Sequence, residues 1–506
     1  MASIVLSTLN SRYSHASLGL RCLRANLGSL HARSVIREFV VRTPVDTIAD
    51  ALLAEQPRII GLGVYIWNVV QTTELVGRLK ARAPEVDIVV GGPEVSHEVD
   101  AQEICRLADF VVTGWGDVTF ARLASALLHG PRPLMKVHAG EQPPLADLAL
   151  PYREYTDEDL AHRTVYVEAS RGCPFKCEFC LSALDRTAWA FPLDPFLAEL
   201  RTLHARGARH YKFVDRTFNL KISSSARILE FFLDLIAAHP DSPPFLHFEL
   251  IPDHLPEQLR ALVARFPPGT LQFEIGIQTF DAATQRRISR TQDNAAAEAN
   301  IAWLRRNSQA HLHVDLIAGL PGEDLASFAA GFDRLVGLKP HEIQVGILKR
   351  LRGAPIARRS EAFGMRYAET PPYQVIESSA LDAATVERVA RFARYWDLVA
   401  NSGRFAGALL LVLDGAPFAR FMDLADWLYA TEGRTHAIPA ERLYELVHRW
   451  LVERGVDADL ATATLAADYR RSGARGRVAL GGTAVVVQGT ARRRRLATRQ
   501  ARHGAA

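Results

Sequence analysis

Three cysteines stand within eight residues in the stretch SRGCPFKCEFCL: Cys173, Cys177 and Cys180. Thiolates at this spacing ligate soft metals, and structural zinc and cubane iron–sulfur clusters ordinarily take four such ligands. Only three are present, so one coordination position falls to something outside the octet. A distant histidine there would close a structural zinc site or a redox-inert cluster, whereas an exogenous ligand would make an open, reactive one. The chain holds five cysteines in all, which rules out a disulfide framework. Cys22 and Cys105 lie in helical stretches and are expected to be small buried hydrophobes.

The elements around the octet position it at a strand end. Residues 1–128 alternate apolar strands (3–9, 34–41, 58–67, 87–92 and 109–114) with amphipathic helical segments such as TIADALLAEQ and TELVGRLKARA. Near-continuous apolar strands separated by helices predict a doubly wound parallel sheet of flavodoxin-like type. Several of its strands end in glycine, where a ligand approaches backbone closely. Residues 129–162, rich in proline and polar residues, read as a linker. Over 163–357 the alternation restarts with TVYVEAS, HYKFVD, PFLHFEL, TLQFEIGIQ, HLHVDLIAG and EIQVGIL. Six such strands predict a partial (β/α)6 barrel of TIM type, with chemistry at the C-terminal strand ends. The octet begins three residues after the end of the first of them. Residues 358–488 read as mainly helical with a late hairpin, and 489–506 as a basic tail. Aromatic residues such as Tyr395, Trp396 and Phe405 belong either to a helical core or to a pocket lining.

A CxxxCxxC octet on the first strand's loop, with Phe179 before the last cysteine, resembles the radical S-adenosylmethionine (SAM) superfamily. The resemblance implies that three thiolates hold three irons of a 4Fe-4S cluster. SAM then binds the fourth iron through its amino and carboxylate groups. KFVDRTFN places Asp215 at the second strand, FEIGIQTF places Glu274 and Gln278 at the fourth, and DLIAGLPGED places Asp315, Ile317 and Gly319 at the fifth. Phe179, Asp215, Glu274, Gln278, Ile317 and Gly319 are therefore expected around SAM. Glu249, Glu274 and Asp315 also admit a reading as buried, hydrogen-bonded strand carboxylates. The implied activity is reductive cleavage of SAM to methionine and a 5′-deoxyadenosyl radical, the cofactors carrying the chemistry and the protein positioning it. An electron donor such as flavodoxin or ferredoxin is the implied partner.

A flavodoxin-like domain ahead of such a barrel is similar to the cobalamin-binding branch of that superfamily. The loops SRYSHASLGLRCL, VVGGPEVS and VVTGWGDVTF then place His15, Gly91, Gly92, Ser96 and Gly114 near a corrinoid. The Asp-x-His-x-x-Gly pattern that puts histidine on cobalt is not met, since Tyr13 precedes His15 by two and Leu18 follows by three. A loop or helix-cap role is the other reading of His15. YAETPPYQVIESSALD and RYWDLVANSGRF resemble an uncharacterised helical domain found on some of these proteins. The expected function is a cobalamin-dependent radical SAM enzyme, either transferring methyl to carbon or catalysing a cyclisation or rearrangement on an unnamed substrate. Alternatives are an RNA-modifying radical SAM enzyme without cobalamin, and a non-catalytic iron–sulfur or zinc protein. No catalytic side chain is singled out.

Composition narrows the setting. Hydrophobic residues make up 48% and charged residues 23%, and no apolar run reaches membrane-spanning length. The N-terminus lacks a signal-peptide pattern, and the cysteine usage points to a reducing cytoplasm. Ten arginines and no carboxylate follow Asp468; without them, 50 bases face 56 acids. That tail either contacts phosphates, making nucleic acid a conceivable but not favoured partner, or is a solvated run.

Overall fold

A computed structural model of the chain describes residues 2–474, 476–487 and 499–504. The chain divides into two compact units. The first comprises Met1–Phe248, Lys349–Arg358 and Ala368–Gln374; the second comprises Glu249–Leu348, Arg359–Tyr367 and Val375–Ala506.

In the first unit, β1 (Ile4–Asn10), β2 (Ser34–Val40), β3 (Ile59–Gly63), β4 (Asp87–Gly91), β5 (Phe110–Thr113) and β6 (Val137–Ala139) form a parallel sheet in the order β2-β1-β3-β4-β5-β6. The order reverses between β1 and β3, and ligands bind such sheets at the C-terminal strand ends beside that reversal. Every residue of β1 is buried, as befits a strand covered on both faces. Val5 and Leu9 pack with α2 (Val45–Leu53), α3 (Val69–Arg82) and α4 (Glu103–Leu107). Ile4 and Leu6 pack with α1 (Leu18–Ala25) and α5 (Asp117–His129) on the opposite face.

The strand expected over 58–67 stops at Gly63. The Asn68 carboxamide accepts from the Tyr65 backbone N–H (2.8 Å) and donates to the Leu9 carbonyl (3.1 Å), turning the chain into α3 instead. Residues 129–162 are not a loose connector either. They supply β6 and bury Leu145, Tyr152 and Tyr155. They end in α6 (Asp157–His162), where Thr156 and Asp159 form a reciprocal capping box.

After β7 (Val165–Val167), the chain forms a two-residue antiparallel ladder between β8 (Ser170–Arg171) and β9 (Trp189–Ala190), and the cysteine loop lies between them. β10 (His210–Phe213) pairs in parallel with β7 and with β11 (Phe245–Leu250), the strand in which the unit boundary falls. In the second unit, β12 (Leu271–Gln278), β13 (His311–Ala318) and β14 (Glu342–Ile347) are parallel neighbours joined through helices. The strand–helix alternation expected over 163–357 is thus observed.

Beyond it lie four long helices: Ala383–Val399, Pro417–Glu432, Ala440–Glu453 and Ala458–Arg471. A hairpin of Gly476–Leu480 and Thr483–Val487 follows. Tyr395, Trp396 and Phe405 are buried, which assigns them to helical core. Of the ten arginines after Asp468, Arg475 and Arg492 to Arg495 lie outside the described residues. Arg502 is buried, and its Nε donates to the Ser402 carbonyl (2.7 Å), so this arginine is docked rather than solvated. Among the described residues, no helix is long and apolar enough to cross a membrane.

Candidate cofactor site

The C-terminal ends of β3, β4 and β5 open into a cavity of about 300 Å³. Its floor is largely backbone: Gly61, Gly63, Gly91, Gly92 and Gly114 line it, with Leu18, Cys22 and Tyr65 at its side. Gly92 is obligatory, because its φ is +117° and a Cβ would stand 2.5 Å from the Val64 carbonyl oxygen. Ser96 braces the floor, accepting from the Gly114 N–H (3.0 Å) and donating to the Gly92 carbonyl (2.8 Å). His15 takes another course: its Nδ1 meets the Tyr166 hydroxyl, and the residue bridges to Thr164. Burial, with Arg12 and Lys212 nearby, lowers its pKa and disfavours imidazolium.

One wall of this cavity is charged. Arg171 donates to both oxygens of Asp117 (2.8 and 3.1 Å) and through Nε to Glu168 (2.9 Å). Its Nη2 also approaches the Cys22 sulfur at 3.6 Å. Burial alone would lower the Arg171 pKa, but Glu168 and then Asp117 raise it, so the guanidinium stays charged. Burial, then Glu168, pushes the Cys22 thiol up, so it is held neutral. The motifs at the crevice drew attention to glycines and missed this cluster. The available signal was Arg171 itself, two residues before the first loop cysteine, together with Asp117 closing GWGD; nothing in the sequence pairs residues 54 positions apart.

The cysteine loop leaves β7 at the same wall. Its neck is closed by the β8–β9 ladder and by Cys173 N–H donating to the Asp185 carbonyl (2.8 Å). Gly172, at φ +89°, has room for no Cβ, which would meet the Thr187 hydroxyl at 2.7 Å. Cys173 and Cys177 are buried and Cys180 is partly exposed. Burial raises the Cys173 thiol pKa, and Cys180 and Cys177 push it the same way, so the three sulfurs feel one another. Among the described residues, no three or more His, Cys, Asp or Glu side chains are gathered around a point where one metal ion would sit. Three soft thiols offered separately by one loop fit a cubane, which spreads its ligands over different irons. Phe179 is half-buried in the loop. Asp215 is fully buried, accepting from Ala169 N–H (2.9 Å) and the Ser170 hydroxyl (2.5 Å). Burial pushes its carboxyl up to about 7.

The remaining residues expected around SAM belong to the second unit. Gln278 sits at a bulge with φ +68°, next to Gly276, whose Cβ would stand 2.3 Å from the Gln278 amide nitrogen. Ile317 is the next-to-last residue of β13, and Gly319 follows the strand at φ +87°. Glu274 lies in mid-strand, in register with His313, which is in register with Glu342. His313 Nε2 lies 3.2 Å from Asp315. Burial opposes protonation of His313, yet Asp315, Glu342 and Glu274 raise its pKa above the ordinary value. Glu274 and Asp315 are therefore part of a partly buried ionic row.

A B12 binding domain model matches residues 4–124, a radical SAM superfamily model matches 167–335, and a model for a domain of unknown function (DUF4080) matches 361–482. The chain carries a radical SAM domain behind a B12 binding domain. An uncharacterized methyltransferase of Pyrococcus horikoshii is 29% identical over 249 residues, 43% of this chain and 53% of the relative. The cobalamin-dependent radical SAM methyltransferase TokK of Streptomyces tokunonensis is 24% identical over 379 residues, 65% of this chain and 53% of TokK. The chain thus spans about half the length of these curated relatives. Among solved structures, the radical SAM methyltransferase TsrM of Kitasatospora setae, with cobalamin and a [4Fe-4S] cluster bound, superposes with a TM-score of 0.56 at 16% identity over 74% of this chain and 78% of TsrM. That likeness establishes a shared fold. The radical SAM domain implies a 4Fe-4S cluster and SAM, and the B12 binding domain implies cobalamin.

Proposed function

We propose that this protein is a cobalamin-dependent radical SAM enzyme transferring a methyl group to a carbon of its substrate. One observation carries the reading: Glu168, just after β7, and Arg171 of β8, where the cysteine loop starts, are also part of the wall of the glycine-floored crevice. A ligand on that floor and a cluster on that loop share a boundary within one compact unit. Methyl transfer, rather than cyclisation or rearrangement, is supported by the relatives described as methyltransferases. An RNA-modifying radical SAM enzyme without cobalamin is less supported, since a B12 binding domain model matches residues 4–124.

When bound, the cluster and SAM supply a 5′-deoxyadenosyl radical and the corrinoid a transferable methyl group. The chain's own residues hold and shield them. Cys173, Cys177 and Cys180 would hold the cluster, and burial of the first two would keep water from their sulfurs. Gly91, Gly92 and Gly114 present backbone to a flat ring, with Ser96 fixing the last two. Phe179, Asp215, Glu274, Gln278, Ile317 and Gly319 are the residues assigned to SAM, and Asp215 holds Ala169 and Ser170. His15, turned to Tyr166, orders its loop rather than the cobalt. Residues 1–128 form the corrinoid domain, 129–162 its packed connection, 163–357 the radical SAM domain, 358–488 the helical domain and 489–506 the tail. A donor such as flavodoxin or ferredoxin supplies the electron, in a cytoplasmic setting.

The test is metal content and SAM cleavage after anaerobic purification from cobalamin-fed cells. About four irons per chain and about one cobalt are expected, with 5′-deoxyadenosine formed from SAM under dithionite. Cys177→Ala is expected to reduce that product to background. Iron without cobalt would remove the corrinoid from the reading, and zinc without iron would overturn it.

A further inference from the structure

The loop 114–117 after β5 does two things at once. Gly114, Trp115, Gly116 and Asp117 line the crevice, and two of them grip the cysteine loop on opposite stems. On the first stem, Asp117 receives a bidentate pair of hydrogen bonds from Arg171, the β8 residue two places before Cys173. On the second, the Trp115 indole N–H donates to Asp185 Oδ2 (3.1 Å). The Asp185 carbonyl accepts the Cys173 N–H, and its Oδ1 accepts from the Thr187 N–H and hydroxyl. The Trp115 ring is covered by the Arg171 guanidinium at 5.0 Å and meets Trp189 of β9 edge-on at 5.8 Å. Arg171 and Trp189 are themselves paired across the β8–β9 ladder.

We infer that the loop 114–117 is a positioning device coupling the crevice to the cysteine loop, so that a corrinoid seated on the crevice floor fixes the stems carrying the three thiols. The inference rests on the corrinoid reading above and adds to it a mutual dependence of the two cofactors. Arg171, Asp117, Trp115 and Asp185 act through the loop backbone and touch no reacting atom. A bidentate guanidinium–carboxylate pair is directional as well as strong, and both stems are held by Trp115 and Asp117, two residues apart where β5 passes into α5. Displacing that loop therefore moves both together. Whatever orders the loop from the crevice side lowers the cost of ordering it from the cluster side, and thermodynamic linkage makes the effect reciprocal.

The experiment measures hydroxocobalamin affinity by equilibrium dialysis on the full chain, with and without a reconstituted cluster. The cluster is expected to tighten binding by about 5-fold or more, the lower range of ordinary coupling between sites. Asp117→Asn keeps the shape but removes the ion pair, and should bring that ratio below about 2-fold even if absolute affinities change. Trp115→Phe, which removes the indole donor, should move the ratio in the same direction and serves if Asp117→Asn does not fold. A second readout is the rate of iron loss to a ferrous chelator, which saturating hydroxocobalamin should slow in the wild type and much less in either variant. A residue holding the fold statically would leave both ratios unchanged. Equal affinities with and without the cluster, or wild-type ratios in both variants, would overturn the coupling while leaving a cobalamin enzyme in place. Failure of the wild type to take up cobalt at all would instead overturn the corrinoid reading and the coupling with it.

Discussion

Gly92 and Glu323 show how much single positions carry. A Cβ at position 92 must move the Val64 backbone, which directly follows β3, and the Gly92 carbonyl is also the acceptor for Ser96. Gly92→Ala is therefore expected to weaken hydroxocobalamin binding by at least about 10-fold, by the cost of a strained φ, while iron content stays at the wild-type level. Equal loss of iron would mean that the substitution unfolds the unit rather than the crevice. Glu323 tests burial instead of shape. It is almost completely buried, its Oε1 takes the Thr279 hydroxyl, and burial pushes its carboxyl up to about 7. A folded-state pKa above the ordinary carboxylate value means that the native protein holds this proton more tightly than the unfolded chain. Its contribution is complete below about pH 4 and is lost as pH rises through 7. Glu323→Gln keeps a neutral acceptor for Thr279. The stability of the variant relative to wild type should therefore rise between pH 5 and 8, by on the order of 2–3 kcal/mol. Denaturant melts across that range check it, and a pH-independent difference would mean that the carboxyl does not titrate there.

Between elements, buried ions do what periodicity cannot announce. Arg21 on α1 is buried and pairs with Glu38 of β2 (2.9 Å) and Asp159 of α6 (2.8 Å), over the face of Tyr155. Burial alone would lower its pKa, but Glu38 leads a net rise, so the charge persists. Without Arg21, the two buried carboxylates share the single cation Arg163 (2.9 Å from Glu38 and 3.5 Å from Asp159), and the negative charge left unbalanced is typically worth about 3–5 kcal/mol. Arg21→Ala should lose about that much in urea denaturation, and a loss under about 1 kcal/mol would show that the carboxylates reach water instead. The same pairs explain what the sequence made legible. Apolar runs with period two or no period marked β1 to β5 and the later parallel strands, because burial on both faces is written directly into composition. The octet marked the cluster loop because ligand spacing is local. The stretch 129–162 read as a linker because proline and polar residues remove periodicity without removing packing. Asp159 both caps α6 and receives Arg21, from 138 residues away. The over-long strand at 58–67 failed for a related reason, since the turn depends on Asn68 reaching the Leu9 carbonyl, a contact no local pattern contains.

At the scale of the molecule, the chain enters the first unit three times, and the two late visits complete it. Lys349–Arg358 and Ala368–Gln374 bring Arg350, Arg352 and Tyr373 to the loop after β4. Arg352 donates to Glu94 (3.0 Å) and Glu98 (2.9 Å), Arg350 donates to Glu98 (2.9 Å), and the Tyr373 hydroxyl donates to Glu94 (2.8 Å). Gly353 passes so close to His97 that a Cβ would stand 2.3 Å from its ring. The same segment reaches the cysteine loop, where the Ile356 N–H donates to the Glu178 carbonyl (2.8 Å). Glu94 is buried, and burial raises its pKa against the opposing pull of Tyr373 and Arg352. Without Arg352, a buried carboxylate keeps only a tyrosine hydroxyl. Arg352→Ala should therefore cost about 3–5 kcal/mol at neutral pH. Adding Glu94→Gln removes the stranded charge and should restore at least half of that loss, which a double-mutant cycle reads directly. Contacts separated by 258 residues form only after most of the chain has ordered. A fragment of residues 1–248 is accordingly expected to melt well below the intact chain and to lose hydroxocobalamin affinity, although it contains the whole crevice. A fragment that binds as the intact chain does would show that the returning segments dress the first unit rather than finish it.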